Sequence, residues 1–158
     1  MLTYEVRRRI NRPPEAVFDV IGTHVYENHP RWESEVVEVR RLTDGPVGVG
    51  SRAIMVRQEY GRRRAAPYEV TEFVPDRKIA FRHLDGPMTF EIAFMLEPAD
   101  ASATDLTVQV RVQPKGAFRL LTPLMARSLP KTGDRITGQM VTFVEGQVRA
   151  SGSEAQRS

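Results

Sequence analysis

From Met88 to Leu96 every second residue is large and apolar: Met88, Phe90, Ile92, Phe94 and Leu96, with Thr89, Glu91, Ala93 and Met95 between them. Side chains of a strand point alternately to opposite faces, so this spacing builds a sheet with one face turned to a core. Leu106, Val108, Val110 and Val112 repeat the pattern against Thr107, Gln109 and Arg111, and Ile79, Phe81 and His83 repeat it against Lys78 and Arg82. A sheet with one dry and one wet face is antiparallel, because parallel strands covered on both sides read as continuous apolar runs.

Turn-forming residues at Asp44-Gly45-Pro46, Tyr60-Gly61, Pro75-Asp76, Asp85-Gly86-Pro87 and 98–103 divide this region into strands predicted at 35–42, 50–59, 66–74, 78–84, 88–97 and 104–113. Residues 2–11 alternate as a seventh. Between the first strand and the rest, Arg12-Pro13-Pro14-Glu15 opens a helix, since proline is tolerated in a first turn and Glu15 suits the positive end of the helix dipole. Val17, Phe18 and Ile21 form its apolar stripe and Gly22 ends it. A second short helix or turn is expected from His24 to Asn28, closed by His29-Pro30-Arg31-Trp32 because the residue before a proline is pushed out of helical geometry.

After Pro114-Lys115-Gly116 the spacing becomes helical again, through Phe118, Leu121, Leu124, Met125, Leu129, Ile136, Met140, Phe143 and Val144. A straight helix over 117–149 would measure about 50 Å, whereas a domain of this size is roughly 40 Å across. A break or kink is therefore predicted between Leu129 and Gly133, where Pro130 removes a backbone donor. The whole reads as one α+β domain over 1–150, followed by a disordered polar tail at 151–158.

With no cysteine in the chain, disulfides, thiolate metal sites and cysteine nucleophiles are excluded. Met1 to Arg7 already alternates as a strand, with no apolar stretch of signal-peptide or membrane-spanning length, so a cytoplasmic location is expected. A formal charge of +3 is little argument for nucleic-acid binding. The arginine clusters 7–9 and 62–64 read as solvated strand edge or loop tip. His24 and His29 are five apart and do not share a helical face, and no third ligand accompanies them, so no metal site is expected. Gly-x-Ser-x-Gly elbows, phosphate loops and dinucleotide fingerprints are all missing, and no cofactor is expected.

The order strand, two short helices, six strands, long helix resembles the START-like helix-grip superfamily, also called SRPBCC. The local carriers are 12–21 (Arg-Pro-Pro-Glu-Ala-Val-Phe-Asp-Val-Ile), Pro30-Arg31-Trp32, Gly50-Ser51-Arg52, and the hairpin 68–82 with its Val74-Pro75-Asp76-Arg77 turn. The resemblance implies a seven-stranded curved antiparallel sheet gripping the C-terminal helix, with an internal cavity for a hydrophobic molecule such as a lipid, polyketide or quinone. It also implies, as an alternative, an enzyme of polyketide cyclase or dehydratase type.

If the inner strand faces and the helix enclose one space, its wall comprises Ile54, Val56, Tyr68, Val70, Phe81, His83, Phe90, Phe94, Val110, Val112, Met125, Ile136 and Met140, with Trp32 at the access side. The same side chains are equally able to meet and fill that space as ordinary core. His83 and Tyr68 are the polar candidates: an imidazole that orients a ligand oxygen or moves a proton, and a phenol that donates a hydrogen bond. Either also has a plain structural role, His83 as a solvated strand end and Tyr68 as a core residue. Trp32 is equally suited to a lid or to anchoring the short helices. The expected partner is a small hydrophobic ligand, with nucleic acid disfavoured and the protein either monomer or homodimer.

Overall fold

The computed structural model describes residues 1–84 and 86–157, and beyond Gln147 the backbone alone. Seven strands form one antiparallel sheet: β1 (Leu2–Ile10), β2 (Val36–Arg41), β3 (Arg52–Glu59), β4 (Arg62–Val74), β5 (Lys78–His83), β6 (Met88–Asp100) and β7 (Ala103–Pro114). Their order is β1-β7-β6-β5-β4-β3-β2, so β1 and β2 are the two edges. Register shifts at Val36/Glu38, Val70/Glu72 and Pro98/Asp100 insert bulges that bend the strands and curl the sheet. This is the helix-grip arrangement that the resemblance implied.

Several boundaries move from the sequence expectation. Residues 98–103, expected as a loop, are mostly strand: Asp100 pairs with Ala103, leaving two residues at the tip, and the Asp100 carboxylate accepts the Ser102 amide at 2.8 Å. β4 begins four residues early because Tyr60 and Gly61, with φ of 52° and 75°, make the tight turn that pairs Glu59 with Arg62. The first helix, α1 (Pro14–Phe18), widens into a π-helical turn over Asp19–Thr23 rather than ending at Gly22, with His24 N bonded to Asp19 O at 3.0 Å. α2 (Val25–Trp32) runs through Pro30, and the Glu33 amide still reaches His29 O at 3.2 Å. One missing N–H in two turns does not end the helix.

A 3-10 turn (Gly116–Leu121) leads into α3 (Thr122–Arg157), which is continuous through Pro130 and Gly133; the predicted break is absent. Its 36 residues span about 54 Å. The helix exceeds the expected span because its start overhangs the sheet, leaving Leu124 exposed together with Leu120 and Leu121 of the preceding 3-10 turn. Pro130 frees the carbonyl of Ala126, an exposed residue whose backbone oxygen water can satisfy. Gly133 is the point of closest approach: a Cβ there would lie 2.7 Å from the Tyr4 ring of β1. The polar tail expected at 151–158 lies outside the described side chains.

α3 is tied at its middle and end. Arg8 pairs with Asp134, Arg135 Nη2 reaches Glu35 Oε1 at 3.0 Å, and Arg12 Nη2 donates to Glu145 O at 2.8 Å. The main core lies where α1, the π turn, α2 and the far half of α3 meet the sheet, through Ile10, Val17, Ile21, Val70, Ile79, Val112 and Val144. The near half of α3 stands off the central strands.

Candidate functional site

Between that half of α3 and the concave sheet lies a cavity of about 460 Å3. β6 contributes Met88, Phe90, Ile92 and Phe94, β7 Val108 and Val110, β5 Phe81 and His83, and β4 Ala66 and Tyr68. Leu129, Gly133, Ile136, Thr137 and Met140 of α3 face them. On β5, β6 and β7 the lining residues are two apart along the strand, as alternation requires. Four wall residues, Arg64, Ala65, Gly86 and Thr132, are exposed and mark its open side.

The sheet side of this wall is a connected row of rings. Centroids lie 5.7 Å apart for Tyr68 and Phe81, 5.8 Å for Phe81 and Phe94, 6.2 Å for Tyr68 and His83, and 5.3 Å for His83 and Phe90. The Tyr68 hydroxyl is buried and has no hydrogen-bond partner among the described groups. An unsatisfied buried hydroxyl costs about 1–3 kcal/mol, and the Tyr68 side chain that carries it is part of the cavity wall. Burial raises its pKa, which keeps it a donor. Burial, followed by the positive charge of Arg57, lowers the His83 imidazole to about 4, so the ring is neutral at pH 7.

A second polar group on the wall escapes sequence reading. Glu33, which caps α2, is buried; its Oε2 lies 2.8 Å from Arg57 Nη1 and 3.2 Å from His29 Nε2, while Glu59 Oε1 holds Arg57 Nη2 at 2.9 Å. Burial opposes the Glu33 charge, but hydrogen bonds and charge from His29 and Arg57 outweigh it and hold the carboxyl below its ordinary range. His29, Glu33, Arg57 and Glu59 all line the cavity. Their positions in α2, its cap and β3 are far apart in sequence, and nothing but the fold joins them.

Of the expected wall, Trp32, Tyr68, Phe81, His83, Phe90, Phe94, Val110, Ile136 and Met140 border the cavity. Val70 and Val112 are fully buried in the core, and Met125 packs against the core; none of the three borders the cavity. Ile54 and Val56 are on the other face of β3, because Ala53 pairs with Tyr68 and Met55 with Ala66, and paired residues share a face. The inward residues of β3 are Met55, Arg57 and Glu59. Trp32 is buried, its ring 5.0 Å from His29 and 6.2 Å from Phe143, so it joins α2 to α3 while bordering the space. Among the described residues, no cluster of His, Asp and Glu is arranged to hold a metal ion.

Comparison with curated proteins finds no match. Solved structures are similar throughout: the ZhuI aromatase/cyclase from Streptomyces sp. R1128 is 19% identical with a TM-score of 0.77, over 96% of this chain and 98% of that one. A START superfamily protein from Mycobacterium smegmatis is 16% identical with a TM-score of 0.77, over 92% and 98%. The protein TTHA0849 from Thermus thermophilus is 16% identical with a TM-score of 0.75, over 92% and 99%. At these identities the likeness is one of fold. Residues 1–152 match the family described as polyketide cyclase / dehydrase and lipid transport, and the chain belongs to that family, within the START-like helix-grip superfamily.

Proposed function

We propose that the protein binds a small hydrophobic molecule carrying a carbonyl or hydroxyl oxygen, and holds or carries it in the cavity between the sheet and α3. The observation that carries this reading is a ring-lined space of about 460 Å3 with the Arg57 guanidinium and the His29 and His83 imidazoles on its wall. That volume is within the range of small-molecule sites, and apolar walls with a few convergent polar groups are their usual composition. The flat rings of Phe81, His83, Phe90 and Phe94 suit a planar or unsaturated body, and the Arg57 guanidinium on the same wall is a donor for its oxygen. A His83 imidazole with a pKa of about 4 is a weak base at neutral pH, which supports a binding rather than a proton-moving role for it.

Native mass spectrometry of the purified protein, followed by titration with quinones, aromatic polyketides and fatty acids, tests this. Retained or added ligand should be displaced by Ile136→Trp, which fills the space. A protein that takes up none of these compounds, with wild type and Ile136→Trp indistinguishable, would overturn it.

A second reading is an enzyme of cyclase or dehydrase type, the activity named for the Streptomyces relative and for the family. It is favoured by the His29, Glu33 and Arg57 group on the same wall: an imidazole beside a buried carboxylate can pass a proton, and a guanidinium can polarise a carbonyl. His29→Ala should then abolish turnover of a bound poly-β-ketone while leaving its binding within about twofold.

A further inference from the structure

The antiparallel order brings three connections to one end of the sheet: the β3–β4 turn, the β5–β6 turn and the passage from β7 into α3. Lys115 N bonds to Pro87 O at 3.0 Å, which seats the last two side by side. Tyr68 is level with His83, so the β3–β4 arm runs roughly 20 Å beyond β5 at about 3.3 Å per residue. The cavity opens at this end, since Arg64, Ala65, Gly86 and Thr132 are its exposed wall residues.

The surface around that opening is apolar and basic together. Tyr60 at the tip of the arm is fully exposed, Leu120 is 83% exposed and Leu124 65%, with Phe118 and Leu121 beside them. No acidic residue occurs between Asp105 and Asp134, and beyond Arg111 of β7 that stretch holds Lys115, Arg119, Arg127 and Lys131. None of these four is ion-paired to a described carboxylate, and all are exposed. Leu124, Arg127 and Lys131 follow at three and four residues and so share the outward face of α3, opposite the cavity-lining Leu129, Ile136 and Met140. Arg62 and Arg63 add charge on the arm.

We propose that this end docks on an anionic lipid surface, with Leu120, Leu124 and Tyr60 entering the headgroup boundary and the basic residues meeting lipid phosphates, so that the cavity opens toward the bilayer. Exposed leucines interleaved with unpaired cations are the composition of an interfacial segment. A nucleic acid would use the charges and leave the leucines in water. No described helix is long and apolar enough to cross a membrane, so the contact is peripheral. The proposal is independent of what the cavity holds.

The test is flotation of the full chain with vesicles of phosphatidylcholine alone or mixed equally with phosphatidylglycerol. Binding is expected to the mixed vesicles and to fall as salt rises. Arg119→Gln with Arg127→Gln should weaken it roughly tenfold to thirtyfold, at about 1 kcal/mol per charge. Leu120→Ser with Leu124→Ser should weaken it by at least about tenfold, and these exposed changes leave thermal unfolding unaltered. In Leu120→Trp the new indole should shift to the blue on mixed vesicles. Failure to float, equal flotation with pure phosphatidylcholine, a stable dimer that shields Leu120 and Leu124, or RNA binding that ignores the leucine changes would each overturn the proposal.

Discussion

Glu33 and Arg57 meet at 2.8 Å on the cavity wall, joining the end of α2 to β3 with His29 and Glu59 beside them. Removing one partner of a fully buried pair costs about 3–5 kcal/mol. Arg57 keeps 23% of its side chain exposed and has Glu59 as a second partner, so Glu33→Ala should cost about 1–3 kcal/mol. Urea unfolding measures it. Glu33→Leu with Arg57→Met should recover most of the loss, because a well-packed apolar pair replaces the charges; a double variant as unstable as the single would refute a pairing role. The lowered Glu33 pKa adds stability above the ordinary carboxylate range, which disappears as pH falls through the folded value.

The neutral His83 ring gives a second pH dependence, at higher pH. Its folded pKa is about 4 against 6.5 when free, so between those values the unfolded chain binds the extra proton. Stability should be unaffected by this group above about pH 6.5 and decline as pH falls toward 4, by up to about 3 kcal/mol. Urea midpoints at pH 7 and pH 5 for wild type and His83→Phe test this. The variant should lose less stability across the interval, and equal losses would show that the ring is solvated.

Tyr68→Phe should affect folding and binding in opposite directions. Removing an unpartnered buried hydroxyl leaves the ligand-free protein as stable as before or up to about 1 kcal/mol more stable. If the hydroxyl donates to the ligand, its loss weakens affinity by about 0.5–1.5 kcal/mol, or roughly twofold to tenfold. Thermal unfolding without ligand and calorimetric titration with it provide the two readings.

Pro130→Ala should stabilise α3 by about 1–3 kcal/mol, since proline costs about 3 kcal/mol in a helix interior and solvation of the Ala126 carbonyl already softens that penalty. A loss of stability would mean that packing of the half-buried ring outweighs the restored hydrogen bond.

These cases show where reading the chain alone succeeds. On β6 the phenylalanines and isoleucine stand against threonine and glutamate, so the inward face is unambiguous. On β3 both faces are apolar, with Ile54 and Val56 on one and Ala53 and Met55 on the other, and pairing to Tyr68 and Ala66 is what turns Arg57 inward. A charged residue in that position looks like solvent-facing polarity until Glu33 is placed beside it. Pro130 misled for another reason: a helix was assumed to stay within the span of its sheet, whereas α3 begins beyond it. Gly133, the far limit of the predicted break, is the seat for Tyr4, a contact whose two halves are separated by most of the chain.

A sheet that takes a helix into its concave face does not close upon itself here, and β1 and β2 remain open edges onto which another strand could add. Both are armed against this. Arg7, Arg8 and Arg9 stand exposed along β1, and Glu38, Arg40 and Arg41 along β2, so that a copy approaching edge to edge must desolvate these charges before its backbone can pair. The open edge is thus answered by charge, and neutralising Arg7 and Arg9, which make no contact with α3, would turn the domain toward self-association without touching the cavity.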